Sequence, residues 1–243
     1  MKIGLLADVH YCSKESLVHN TRFPALALER MKAAVQCFAN QKADLIVCLG
    51  DLINIDDTYD KDVENLAIAS DILNSSPVPA VCLMGNHDCE AFTRAEFTEL
   101  SGLKTAPYEI ISGQYALHFL NANYTDDGAA YIPHNIDWQN SCLPAEEIAR
   151  IRQSICDKSR RHIYFVHQCI DPFSEPRHLI RNAAEARTYI EQTDSPIVIQ
   201  GHYHAGKRSV FNGVSYLTLP ALCCGDTSPA ILLDTETFNG ITA

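Results

Sequence analysis

Five short apolar runs in this chain each stop, within a residue or two, at side chains of metal-binding type. Residues 3–7 run into Asp8 and His10, 45–49 into Gly50 and Asp51, and 80–84 into Gly85, Asn86 and His87. Residues 163–166 run into His167, and 197–200 into Gly201, His202 and His204. Runs this short, rich in β-branched residues, read as buried strands, and 115–120 adds another. Between them lie stretches with helical spacing. Residues 24–40 carry Leu28, Met31, Val35 and Phe38 on one face, with Pro24 suited to a first turn. The segments 62–73, 93–100, 144–158 and 177–191 have the same period. Strands alternating with helices predict a layered α/β fold. In such folds ligands bind at the carboxyl ends of strands, so the five polar endings are expected to meet in one crevice.

Composition narrows the partners. A chain of 243 residues with 47% hydrophobic content can fill a core without disulfides, and no repeat or linker divides it, so residues 1–243 read as a single domain. The formal charge of −11 repels polyanions, which argues against a nucleic acid polymer as partner. The N-terminal apolar run meets Asp8 too soon to be a secretory core, and no stretch approaches the ~20 apolar residues of a spanning helix, so no membrane role is expected. Ten cysteines occur singly or as the pair Cys223-Cys224, without CxxC spacing. They read as reduced thiols of a cytoplasmic protein, Cys12 and Cys89 beside the motifs included.

The donor types suit two cations. Dications held ~3.5–4 Å apart, as in two-metal hydrolases, repel each other, and a shared carboxylate offsets that repulsion. Asp51, after a glycine that permits a tight turn, is the candidate bridge. Asp8 and His10 alternate along an extended segment, so a turn past the strand must bring both to one ion. One ion would then take Asp8, His10, His204 and Asp51, the other Asn86, His167, His202 and Asp51. Only two of these ligands are anionic, so the centre stays positive enough to attract phosphate inside an acidic protein. Mixed imidazole, carboxylate and amide donors favour Mn²⁺, Fe or Zn²⁺ over Mg²⁺.

The series DVH (8–10), GD (50–51), GNHD (85–88), His167 and GHYH (201–204) resembles, in order, the five motifs of calcineurin-like metallophosphoesterases. That resemblance implies a two-sheet β-sandwich flanked by helices, with metals at the strand ends and water activated between them. It implies that His87 is a catalytic histidine contacting phosphate and leaving group, and that Asp88 orients its ring. The flanks 21–38, 179–191 and 212–219 are similar to the manganese-dependent ADP-ribose/CDP-alcohol diphosphatases, although that branch has glutamine where this chain has His10. The expected substrate is a small phosphorylated, nucleotide-like molecule. Cyclic-nucleotide phosphodiesterase and protein phosphatase are the alternative activities, and a non-catalytic scaffold is the alternative class. Arg22 is a candidate phosphate contact through its planar fork. His134 is a candidate through the polar stretch 121–140, which has the look of a loop over a site. His19, His118, His162 and His178 read as surface or packing residues.

Overall fold

The computed structural model describes residues 1–14, 21–225 and 230–237, so His19 lies outside the described residues. Two mixed sheets face each other. In the first, β1 (Lys2–Leu6), β2 (Leu45–Cys48) and β3 (Ala80–Cys82) run parallel, and β10 (Ile231–Asp234) closes the edge antiparallel to β1. In the second, β5 (Tyr115–Phe119), β6 (Arg161–Val166), β7 (Ile197–Gln200) and β9 (Val214–Pro220) run parallel. Its edges are antiparallel, β4 (Tyr108–Ser112) on β5 and β8 (Ala205–Phe211) on β9.

Strand alternation builds the layers. Ile3, Leu5, Leu45 and Val47 turn inward and meet Leu117, Phe119, Phe165 and Ile199 of the opposite sheet. The next residues along each strand turn outward, so each sheet needs a second cover. Leu6, Ile46 and Cys48 pack under α1 (Pro24–Asn40), α2 (Tyr59–Asn74) and α4 (Arg94–Ser101), whereas Tyr164, Val198 and Tyr216 pack under α5 (Ala145–Ser154) and α6 (Ala183–Ile190). A β-carbon on Gly4 would lie 2.5 Å from the ring of Phe38, so only glycine lets α1 approach β1 this closely.

Element ends depart from the periodicity for local reasons. α2 starts at Tyr59, earlier than the apolar spacing predicts, because Thr58 accepts a hydrogen bond from the Lys61 amide and Asp60 and Asp62 favour the first turn. The helix predicted from residue 177 starts only at Ala183. Cys169 donates to the His178 carbonyl at 3.2 Å and Ile180 donates back to Cys169 at 3.0 Å, so the chain there extends the sheet instead of coiling. That substitution of bridge for helix brings Arg177 and His178 to the crevice. The described residues contain no helix long and apolar enough to cross a membrane. All ten cysteines are free thiols.

Candidate metal centre

The predicted turn after β1 is tighter than a simple reversal. Asp8 (φ 55°), His10 (φ 48°), Asp51 (φ 51°) and His202 (φ 67°) all adopt left-handed backbone. Such conformations cost an L-residue roughly 1–2 kcal/mol, less for Asp, and persist only where the surroundings enforce them. Here neighbouring loops enforce them. The Asp8 amide donates to the Gly50 carbonyl at 3.1 Å and the His10 amide to the Asp51 carbonyl at 2.9 Å. The His202 amide reaches both carboxylate oxygens of Asp8 at 3.1 Å. A β-carbon on Gly85 would fall 2.1 Å from Asp51 Oδ1, so glycine is required where α3 (Asn86–Ala91) begins against that carboxylate.

These stitches converge Asp8, His10, Asp51, Asn86, His167, His202 and His204 at the carboxyl ends of β1, β2, β3, β6 and β7. His10 Nδ1 donates to Asn54 Oδ1 at 3.1 Å, which leaves Nε2 a bare lone pair in the neutral ring. That lone pair lies 3.1 Å from His204 Nε2 and 3.4 Å from Asp51 Oδ2. His167 repeats the pattern: Nδ1 donates to the Leu49 carbonyl at 2.9 Å, while Nε2 faces Asn86 Oδ1 at 3.2 Å and Asp51 Oδ2 at 3.4 Å. His202 Nε2 is buried without a hydrogen-bond partner. Asp51 Oδ1 is engaged by the His87 amide at 2.8 Å, so Oδ2 is the oxygen turned to the histidines.

Crowded acceptors of this kind call for cations. Burial opposes charge on His167, yet the carboxylates of Asp51 and Asp8 overcome it and raise the ring to about 9. A proton there stands in for a positive ion between Nε2 and Asp51. Burial drives His10 and His202 well below the usual imidazole range, which keeps them neutral as ligands must be. Burial also pushes the Asp51 carboxyl up, but His167, His87 and His10 outweigh it and hold the group well below the usual range. Among the described residues, Asp51 belongs to two clusters of mutually close donors, one with His10 and His87, the other with His167 and His202. The donor set therefore fits divalent cations.

Of the residues expected to work on phosphate, His87 and Arg22 meet. Arg22 Nη1 donates to Asn54 Oδ1 at 2.8 Å and Nη2 lies 3.4 Å from His87 Nε2. Asp88 does not flank the His87 ring as the resemblance implies. It is wholly buried and caps α3, accepting from the Gly85 amide at 2.9 Å and the Ile53 amide at 3.0 Å. Burial and the nearby Asp51 raise its carboxyl above the usual range. The carboxylate beside the His87 ring is Glu90, with Oε2 3.3 Å from Nδ1. The spacing of a residue and the one three on in a helix could have signalled it.

A cavity of about 600 Å³ opens over these residues. His134 does not line it; its side chain is exposed, and the stretch 121–140 reaches the cavity through Trp138 instead. Arg177, His178 and Tyr203 complete that wall. Sequence reasoning missed them because a helix was expected at 177–191 and a lone tryptophan carries no spacing signal.

A buried crevice of imidazole, carboxylate and amide donors at the strand ends of a helix-flanked double sheet defines a metal-dependent phosphoesterase. The profile of calcineurin-like phosphoesterases matches residues 1–206, and the chain belongs to that family. Among solved structures, a dimetal phosphatase from Danio rerio is 17% identical with a TM-score of 0.75, over 93% of this chain and 89% of that one. A phosphopantetheinyl hydrolase from Mycobacterium tuberculosis is 11% identical with a TM-score of 0.57, over 99% and 98%. A Thermus thermophilus protein is 13% identical with a TM-score of 0.58, over 91% and 90%. These likenesses are of fold. No curated protein matches the chain in sequence.

Proposed function

We propose that this chain is a dinuclear-metal phosphohydrolase that cleaves phosphodiester or phosphoanhydride bonds of a small nucleotide-like substrate. The observation that carries the reading is the shared position of Asp51, whose carboxylate faces His10 and His167 at 3.4 Å each and belongs to two donor clusters. One ion would rest on Asp8, His10, His204 and Asp51, the other on Asn86, His167, His202 and Asp51. Two divalent ions there supply Lewis acidity and a water of lowered pKa. Mn²⁺, Fe and Zn²⁺ all suit the donors, and the flanks similar to the ADP-ribose/CDP-alcohol diphosphatases favour Mn²⁺. The name of the Danio rerio neighbour, a dimetal phosphatase, supports two ions.

The chain's own residues supply the rest. Arg22 places its guanidinium on the cavity wall beside His87, where the N–H groups not used on Asn54 would meet a phosphate. His87, tied by its amide to Asp51, is held where a leaving oxygen would depart, and the Glu90 carboxylate lies 3.3 Å from its Nδ1. Asp88 is a positioning residue that fixes the start of α3 under His87. Free thiols suit a reducing, cytoplasmic setting, and the core shared by both sheets suits one domain.

The test crosses Mn²⁺, Zn²⁺ and Fe²⁺ with ADP-ribose, CDP-choline, cyclic AMP, an aryl diester and a phosphoserine peptide. The expected result is two ions per chain by metal analysis and faster hydrolysis of a nucleotide diphosphate or diester than of the peptide. A single ion at saturation removes the dinuclear reading; a preferred phosphopeptide moves the chain to the protein phosphatases.

A further inference from the structure

The cavity has two unlike ends. At one, His87 and Arg22 face the donors around Asp51. At the other, the wall is aromatic. The half-buried ring of Trp138 stands edge to face on His202 with centroids 5.3 Å apart, and His178 lies 5.7 Å from the tryptophan and 5.3 Å from Tyr203. Trp138 is the chain's only tryptophan. Charge alone grips a phosphoryl group, so a planar apolar wall beside a metal-type histidine adds nothing to phosphate binding. It does add affinity for a flat ring carried a short way from the phosphate. Amphipathic aromatic side chains give large stacking area at small entropic cost, and any base can use their π-face. The reach matters too: Trp138 stands against His202 in the same cavity, so a ring stacked on it would lie beside the donors.

We infer that Trp138 is the stacking platform for the nucleobase of the substrate, and hence the residue that makes this centre prefer nucleotides to other phosphate esters. The inference deepens the phosphohydrolase reading and rests on it.

The experiment uses the Zn²⁺-loaded protein and three probes: AMP, ribose 5-phosphate and inorganic phosphate, each as inhibitor of aryl-diester hydrolysis and as a ligand followed by the emission of Trp138. AMP is expected to quench that emission saturably and to inhibit at about 5- to 100-fold lower concentration than ribose 5-phosphate, the range for one stacked base. Trp138→Leu should erase that gap while inhibition by inorganic phosphate stays as in wild type; Trp138→Phe, which keeps a ring, should restore most of it. Equal inhibition by AMP and ribose 5-phosphate in wild type, or a gap that survives in Trp138→Leu, overturns the proposal. Failure of the phosphohydrolase reading has its own signature, in which no diester is hydrolysed under any metal and phosphate does not bind; that result overturns both.

Discussion

Two groups of buried histidines share this fold, and they are opposites. On the outer face of the second sheet, Glu109, His118, His162 and the Asp157 carbonyl form a relay with 2.9 Å at each of its three links. His118 and His162 sit on regular strands, β5 and β6, and stack with centroids 5.2 Å apart. Their side-chain nitrogens all have partners within the protein. At the strand ends, by contrast, His10 and His204 point nitrogens at each other, His167 points one at two acceptors, and His202 Nε2 has no partner. The backbone there is left-handed at four positions. Residue type is alike in the two groups, and His10, His167 and His202 are buried, as are His118 and His162. What differs is that His202 Nε2 is left without a partner and that His10, His167 and His204 crowd their Nε2 atoms against the carboxylates of Asp51 and Asp8. A buried polar group without a partner costs enough to demand an explanation. The relay explains itself; the strand ends need cations.

That contrast can be broken by mutation. The largest effect is expected from Asp51→Asn, which should lose at least one bound ion and, with it, on the order of 10³-fold or more in kcat/KM, as several kcal/mol of charge stabilisation disappear. Metal analysis beside kinetics checks it, and normal turnover with two tightly held ions would remove the bridge. Next comes His87→Ala, which should keep its metals and fold yet lose roughly 10²–10⁴-fold on an alkyl diester, where the leaving oxygen needs a proton. On a p-nitrophenyl diester, whose leaving group departs almost unaided, the loss should be much smaller. Equal losses on both substrates would leave His87 a phosphate contact and no acid. The smallest effect belongs to the relay. His118→Leu strands the facing nitrogen of His162 and should lower unfolding stability by about 1–3 kcal/mol, read from a denaturant midpoint. Metal content and kcat should not move; if they do, the two groups are coupled and the contrast fails.

Much of this is legible in the sequence. The endings of five apolar runs anticipated the crevice, because strand ends in α/β folds are where side chains are free to converge. α1 was legible to the residue, since Pro24 starts it and the apolar stripe runs without interruption to Asn40. The strands β4, β8, β9 and β10 were not: β4 and β8 mix Glu109, Lys207 and Arg208 into their runs, β9 breaks its apolar run with Ser215 and Thr218, and β10 sets only Ile231, Leu232 and Leu233 before Asp234. The partner of His87 was misread for a different reason. The resemblance implies Asp88, yet on a helix successive side chains diverge, and the residue three positions on shares the face. The aromatic wall around Trp138 is a product of tertiary structure only, drawn from the loops at 138, 178 and 203, and no local pattern encodes it.

The left-handed turns at Asp8, His10, Asp51 and His202 bear on how long a copy of this protein lasts. Each is tension that the folded chain holds and the unfolded chain does not, while ions bind the folded chain and not the unfolded one. At about 100 times its dissociation constant, one ion deepens the folded state by about 2.7 kcal/mol. When ions are scarce that support goes, and the tense loops at the strand ends become the segments that open most readily. Opened backbone is what proteases cut, at a rate set by the population of the open form. A cell poor in the right metal would therefore hold fewer molecules of this enzyme as well as slower ones.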